Sequence, residues 1–341
     1  MALQTLWFVL WGLLWAVYFM LDGFDFGVGM LRNFIARDET ERSLALAAIG
    51  PVWNGNEVWL ITAGGATFAA FPATYASMFS FLYLPMLIIL FSLIARGAAV
   101  EYRGKHEGAR WRKAWDRVLA VSSLLAPLVL GLGFGNIFQG LPISGGIYRG
   151  TFLGLFNPYG LLTALAFVAL FLQHGALWLG MRTTGALADR ARILAGRLWL
   201  PALALAALLL AATAAATRIY DNYLAQPALF LVPLLAVASL VAVKVLHAGG
   251  RILGSFLASS ATIVLVVATA LVGLFPNLIP SSLEAASSLT IYNSSSSQYT
   301  LGIMAVIALV FVPLVVVYQL LVYRFFRAKL DEKNLAEEGG Y

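Results

Sequence analysis

Two carboxylates stand three residues apart in the stretch FMLDGFDFGVGML (19–31), which otherwise reads as the inside of a membrane. They are Asp22 and Asp25, an i,i+3 pair on one helical face. An ionised carboxylate at mid-bilayer costs roughly 2.5–3.5 kcal/mol on insertion scales, so such residues face a polar interior and mark proton or ion pathways. A second stretch, PVWNGNEVWL (51–60), adds Asn54, Asn56 and Glu57 between the flanking Trp53 and Trp59. A third, LIARGAAVEYR (93–103), adds Arg96 and Glu101, and Asp116 opens the next apolar run.

Depth brings these groups together. Asp22 and Asp25 precede Arg32, the inner end of their helix, by ten and seven residues. At about 1.5 Å per residue that is roughly 10–15 Å from the boundary. Asn56, Glu57, Arg96 and Asp116 fall at similar distances from the same side. We therefore expect one polar layer holding Asp22, Asp25, Glu57, Arg96 and Asp116. In it, three intramembrane acids face one arginine. At least one carboxylate then lacks a full counter-charge, which is the chemistry of a proton relay. The competing account is a structural knot, with Arg96 paired and the other acids accepting hydrogen bonds from tryptophan or asparagine.

The elements that position this layer are membrane helices. Of 341 residues, 61% are hydrophobic and only 11% charged, against about 45–50% and about 25% in soluble domains. There is no cysteine, which excludes disulfides, thiolate metal sites and iron–sulfur clusters within this chain. Runs of about 20 apolar residues predict nine spans: 5–31, 51–71, 75–100, 117–138, 156–180, 197–219, 227–246, 252–275 and 300–324. They lack period-2 alternation, so a β-barrel is excluded. The fold class is all-α integral membrane, and 1–341 is expected to be a single polytopic domain. The first span follows no basic segment and no small-residue cleavage site, so it is expected to remain as a helix.

The net charge of +6 is a topology signal and no nucleic-acid footprint. With nine spans, only Arg149 and Arg218 of the 22 basic residues fall on one side, leaving 20 on or just inside the other. That side is expected to be cytoplasmic, with the N-terminus outside and the C-terminus inside. His106 and His247 fall in connections, and His174 reads as a hydrogen-bonded packing residue, with no metal site of its own. The glycines of GVG (27–29) and TAGGATFAAF (62–71) are expected at close helix crossings. The serine-rich stretch SSLTIYNSSSSQYTL (287–301) reads as a flexible polar connection.

Taken together, DGFDFGVGML, GPVWNGNEVWLITAGGATFAAFP, R-x4-EYR and SLT…SSQYTL resemble subunit II of cytochrome bd-type quinol oxidases, in order and spacing along most of the chain. The resemblance implies two four-helix bundles plus one peripheral helix. It also implies a respiratory complex of the bacterial cytoplasmic (inner) membrane that oxidises quinol and reduces dioxygen. Two b-type haems and one d-type haem are then expected in the partner, subunit I, and none ligated by this chain. Small accessory single-span subunits and lipids are further partners of such complexes; nucleic acid is not.

By position, Asp22 and Asp25 match the family's first-helix acids, and Arg96, Glu101 and Asp116 its charged inner ends. The family commonly has aspartate where this chain has Asn54, which cannot exchange protons; Glu57, one turn on, is expected to supply the titratable group. The alternative from another class is a proton- or cation-coupled secondary transporter, and a third reading is a scaffold with inert acids.

Overall fold

The structure, a computed structural model, describes residues 2–331 and Lys333. Its helices are α1 (Ala2–Ile35), α2 (Glu39–Ala47), α3 (Trp53–Ala70), α4 (Pro72–Phe81), α5 (Tyr83–Tyr102) and α6 (Ala109–Gln139). After these come α7 (Pro158–Arg182), α8 (Gly185–Ala216), α9 (Tyr220–Ala225), α10 (Leu231–Ala248), α11 (Ile252–Leu274) and α12 (Gln298–Phe325). Local chemistry sets several starts. Asp38 accepts from the Glu41 N–H ahead of α2, Asn157 caps α7 with Pro158 at its first position, and Ser297 caps α12.

Among the described residues, eight helices are long and apolar enough to cross a membrane. The ninth expected span, 51–71, is α3, which has 18 residues. At about 1.5 Å per residue it is about 27 Å long, near the ~30 Å hydrocarbon thickness. Asn54, Asn56, Glu57 and its glycines hold its apolarity down. The third expected span, 75–100, is divided at Leu82 into α4 and α5. Two expected connections, 101–116 and 181–196, are largely helical extensions, because α6 begins at Ala109 and α8 at Gly185. The connection 32–50 carries the amphipathic α2.

α1 is the central element and packs on α3, α6, α7 and α11. α5 lies on α6 and α4 on α3, completing one group; α7, α8, α10 and α11 form the other. The two groups meet where α1 crosses α7 with almost no separation. A Cβ on Gly27 would stand 2.8 Å from the Cα of Gly175, so both positions require glycine. Gly64 and Gly65 behave otherwise. Nothing lies within 4 Å of where their Cβ atoms would be, and they line an open apolar groove between α3, α5 and α6. The expectation of close packing is therefore corrected for TAGGATFAAF. α12 is peripheral: it leans on α1 and α3 with Leu301 as its one buried residue.

The end opposite the arginines is closed by two short hairpins, β1 (Ile143–Ser144) with β2 (Ile147–Tyr148), and β3 (Asn277–Ile279) with β4 (Leu289–Thr290). Gly145 and Gly146 make the first turn at φ +56 and +76, the left-handed pair a two-residue hairpin needs. The serine-rich segment is folded here, which corrects the flexible-connection reading. Ser281 donates to the Ile143 carbonyl, Ser296 to the Ala69 carbonyl, and Ile291 and Ser294 are buried. Hydrogen bonds from Ser287 and the Gly145 N–H hold the exposed Glu284 carboxyl below its usual range.

Candidate functional site

Asp22, Asp25, Glu57 and Arg96 meet in the interior, carried by α1, α3 and α5. Arg96 grips Asp22 through both terminal nitrogens, Nη1–Oδ1 at 2.6 Å and Nη2–Oδ2 at 3.0 Å. The same Nη2 stands 3.3 Å from Glu57 Oε2. Asp22 and Arg96 are completely buried, and the guanidinium lies 4.2 Å above the ring of Phe26. Asp25, one helical turn on, accepts a 2.8 Å hydrogen bond from Asn56 Nδ2 and lies within electrostatic reach of Asp22. Two carboxylates thus share one guanidinium, and the third, Asp25, lies one turn along α1 from the first.

The motif explains this geometry. In DGFDFGVG the glycines and aromatics pack against α6 and α7, with Gly23 and Gly27 facing Phe171 and Gly175. Asp22 and Asp25 are left on the face that meets α3 and α5. On α3, Asn56 and Trp59 point inward while Asn54 is exposed and Glu57 is intermediate, its side chain 19% exposed. Trp53 is half-buried, its ring edge against Gly97 of α5. Glu57 is consequently the acid of the group that reaches the molecular surface.

Asp116 is not in this group. It lies at the arginine-rich end, between Arg32 (2.5 Å) and Arg103 (2.6 Å). Arg103 continues to Glu39 at 2.6 Å, and Glu39 to Arg112 at 3.4 Å. The single layer expected from depth is therefore two clusters. Glu101 is exposed and, among the described residues, makes no ion pair with either. The sequence reading missed Arg32, Arg103 and Glu39, whose positions in connections and helix ends suggested only topology.

It also missed two residues of α12. Gln319 donates to Asn56 Oδ1 (3.0 Å) and accepts from Trp59 Nε1 (2.6 Å), and Tyr323 donates to the same Asn56 oxygen (2.6 Å). A glutamine inside the aliphatic run LVFVPLVVVYQLLVY was the available signal. Asn56 is thereby saturated, and its amide is fixed with nitrogen toward Asp25.

His174 is completely buried. Its ring nitrogens stand 3.0 Å from Ser259 Oγ and from the Met20 carbonyl, and its ring stacks on Phe256 at 4.5 Å. Both nitrogens are engaged and one face is covered, so this residue does not fit a haem ligand.

The family profile for cytochrome bd terminal oxidase subunit II matches residues 3–326. The chain is 37% identical over 338 residues to the cytochrome bd ubiquinol oxidase subunit 2 of Bacillus subtilis (strain 168), covering 98% of each. It is 36% identical over 354 residues to the cytochrome bd-I ubiquinol oxidase subunit 2 of Escherichia coli (strain K12), covering 93% of this chain and 92% of that one. In fold it is similar to a chain of the bd oxidase from Geobacillus thermodenitrificans, with a TM-score of 0.78 at 21% identity, covering 96% of this chain and 99% of that one.

Proposed function

The chain belongs to the cytochrome bd terminal oxidase subunit II family, and from that premise we propose that its buried acid cluster handles protons for the oxygen-reducing site of the complex. It is a multi-pass inner-membrane subunit of a respiratory oxidoreductase. Family membership over nearly the whole chain leaves the transporter reading without support. In our reading the partner, subunit I, carries two b-type haems and one d-type haem and oxidises the quinol, while this chain ligates none. The engaged nitrogens of His174 support a chain that ligates no haem through it, and the ubiquinol oxidase names of the relatives support a quinol-oxidising complex. The 20-to-2 split of basic residues supports a cytoplasmic C-terminus and an outer N-terminus.

One observation carries the proton reading: three carboxylates, two of them fully enclosed, around a single guanidinium inside the spanning region. Reduction of dioxygen to water consumes protons, and a structural pair would need only one acid. Glu57, at the surface, receives the proton in this scheme, because Asn54 beside it cannot. Glu57 and Asp22 hold the same guanidinium, so the transfer inward crosses no apolar gap; Asp25, oriented by Asn56 one turn along α1, is a second buried acceptor. Arg96 is a positioning residue that keeps the acids together. Asp116 lies outside this route, and we assign it to anchoring the arginine-rich end.

The test is Glu57→Gln in the complex purified through a tag on this chain, with oxygen consumption measured on reduced quinol. We expect turnover to fall about tenfold while the reduced-minus-oxidised haem spectrum is kept. Unchanged turnover with an intact spectrum removes Glu57 from the route.

A further inference from the structure

We propose that a cavity of about 520 Å³ at the arginine-rich end, between α2 and the start of α6, binds the phosphodiester head group of an anionic phospholipid. The proposal needs only that the chain is embedded in a membrane and is independent of the proton route.

Charge is the first argument. Arg42, Arg112, Lys113 and Arg117 line the cavity. Its acids are largely spoken for: Asp116 by Arg32 and Arg103, and Glu39 by Arg103, Arg112 and, at 3.9 Å, Arg42. Two carboxylates thus face four guanidiniums. The lining itself carries four cations and three acids, and two of those acids, Asp116 and Glu39, are further neutralised from behind by Arg32 and Arg103.

Unused donors are the second. Nε of Arg42 and Nε of Arg112, on two side chains of the lining, have no hydrogen-bond partner among the described residues, and neither has Nη2 of Arg32, behind Asp116. A buried donor without a partner is unfavourable, and the two on the lining residues Arg42 and Arg112 call for an acceptor. Guanidinium groups match phosphate oxygens in geometry and charge. The N-terminus of the 31-residue α6 opens on the same cavity at Ala109, and Gly108 before it supplies no side-chain cap.

Position selects a lipid over a dissolved anion. Phe34, beside Asn33 of the cavity wall, is 84% exposed, and Tyr102 and Trp111 are exposed next to Trp115. Aromatic rings at the rim of a basic pocket mark the head-group plane, and they give the acyl chains a surface to follow.

The experiment uses the complex purified through this chain, stripped of lipid in detergent, and native mass spectrometry with phosphatidylglycerol or phosphatidylcholine of identical chains. We expect phosphatidylglycerol to bind at least about tenfold tighter, and Arg42→Gln with Arg112→Gln to abolish the preference. Equal binding of the two lipids, or a preference that survives the double variant, overturns the proposal. Displacement of phosphatidylglycerol by millimolar inorganic phosphate overturns the lipid assignment in favour of a soluble-anion site. Should the double variant not assemble, Lys113→Gln and a salt titration of the unaltered complex decide, since a head-group preference built on these charges must weaken with both changes.

Discussion

The two charged clusters use the same residue types in opposite proportion. In the interior, Asp22 and Glu57 hold Arg96 with Asp25 one turn away, and acids are in excess. At the arginine-rich end, Arg32, Arg42, Arg103 and Arg112 surround Asp116 and Glu39, and cations are in excess. The difference follows from what each surplus can do where it lies. A surplus carboxylate far from water is relieved by taking a proton, whereas a guanidinium stays charged at any accessible pH and is relieved only by a second anion. An acid-rich cluster therefore belongs inside, where protons are to be held. A base-rich cluster belongs at the boundary, where anions can come to it.

The largest test of this contrast is Arg96→Ala, which leaves three carboxylates around an uncompensated site. Breaking a buried pair in this way costs about 3–5 kcal/mol, and we expect little assembled complex, measured as haem per membrane protein. Normal assembly would mean the interior acids are already neutral without Arg96.

Next comes Asp116→Asn, which deprives Arg32 and Arg103 of their shared carboxylate. We expect a loss of about 1–3 kcal/mol in thermal unfolding, with oxygen consumption per assembled complex retained. If turnover falls instead, the clusters act as one pathway and the contrast fails. Asp25→Asn should do the reverse, lowering turnover about tenfold, equivalent to about 1.4 kcal/mol, with the unfolding temperature little moved. The smallest effect is that of Glu39→Gln. Its ion pairs are part-exposed and worth under about 1 kcal/mol, yet removing this anion should tighten phosphatidylglycerol binding at the cavity.

Helix existence and most of the interior cluster were legible from composition and spacing, because apolar length and isolated membrane acids are strong local signals. Asp22, Asp25, Glu57 and Arg96 came together as their depths and helix faces required. Depth alone placed Asp116 in the same layer. It pairs with Arg32 and Arg103 at the inner end of α1, roughly 10–15 Å nearer the boundary than Asp22 and Asp25. Counting residues from expected helix ends gives depth too coarsely to separate the clusters, since α6 begins at Ala109 and not at 117. Gly64 and Gly65 were misread for a related reason: small residues permit close approach without saying which helix approaches. Gln319 and Tyr323 were missed because their partner Asn56 is more than 260 positions away, and no local pattern encodes that pairing.

α12 carries one further consequence. It buries little apolar surface and is tied to the interior by Gln319 and Tyr323 on Asn56, and by the Leu301 carbonyl accepting from Trp7. Among the described helices it is also the last to leave the ribosome. Throughout synthesis of the preceding elements Asn56 stands without its two α12 partners, and its amide is free to turn away from Asp25. The amide is locked only when α12 arrives, so a chain cut short before Gln319 carries every acid of the cluster in an unfinished setting, and the order of translation times the site's completion.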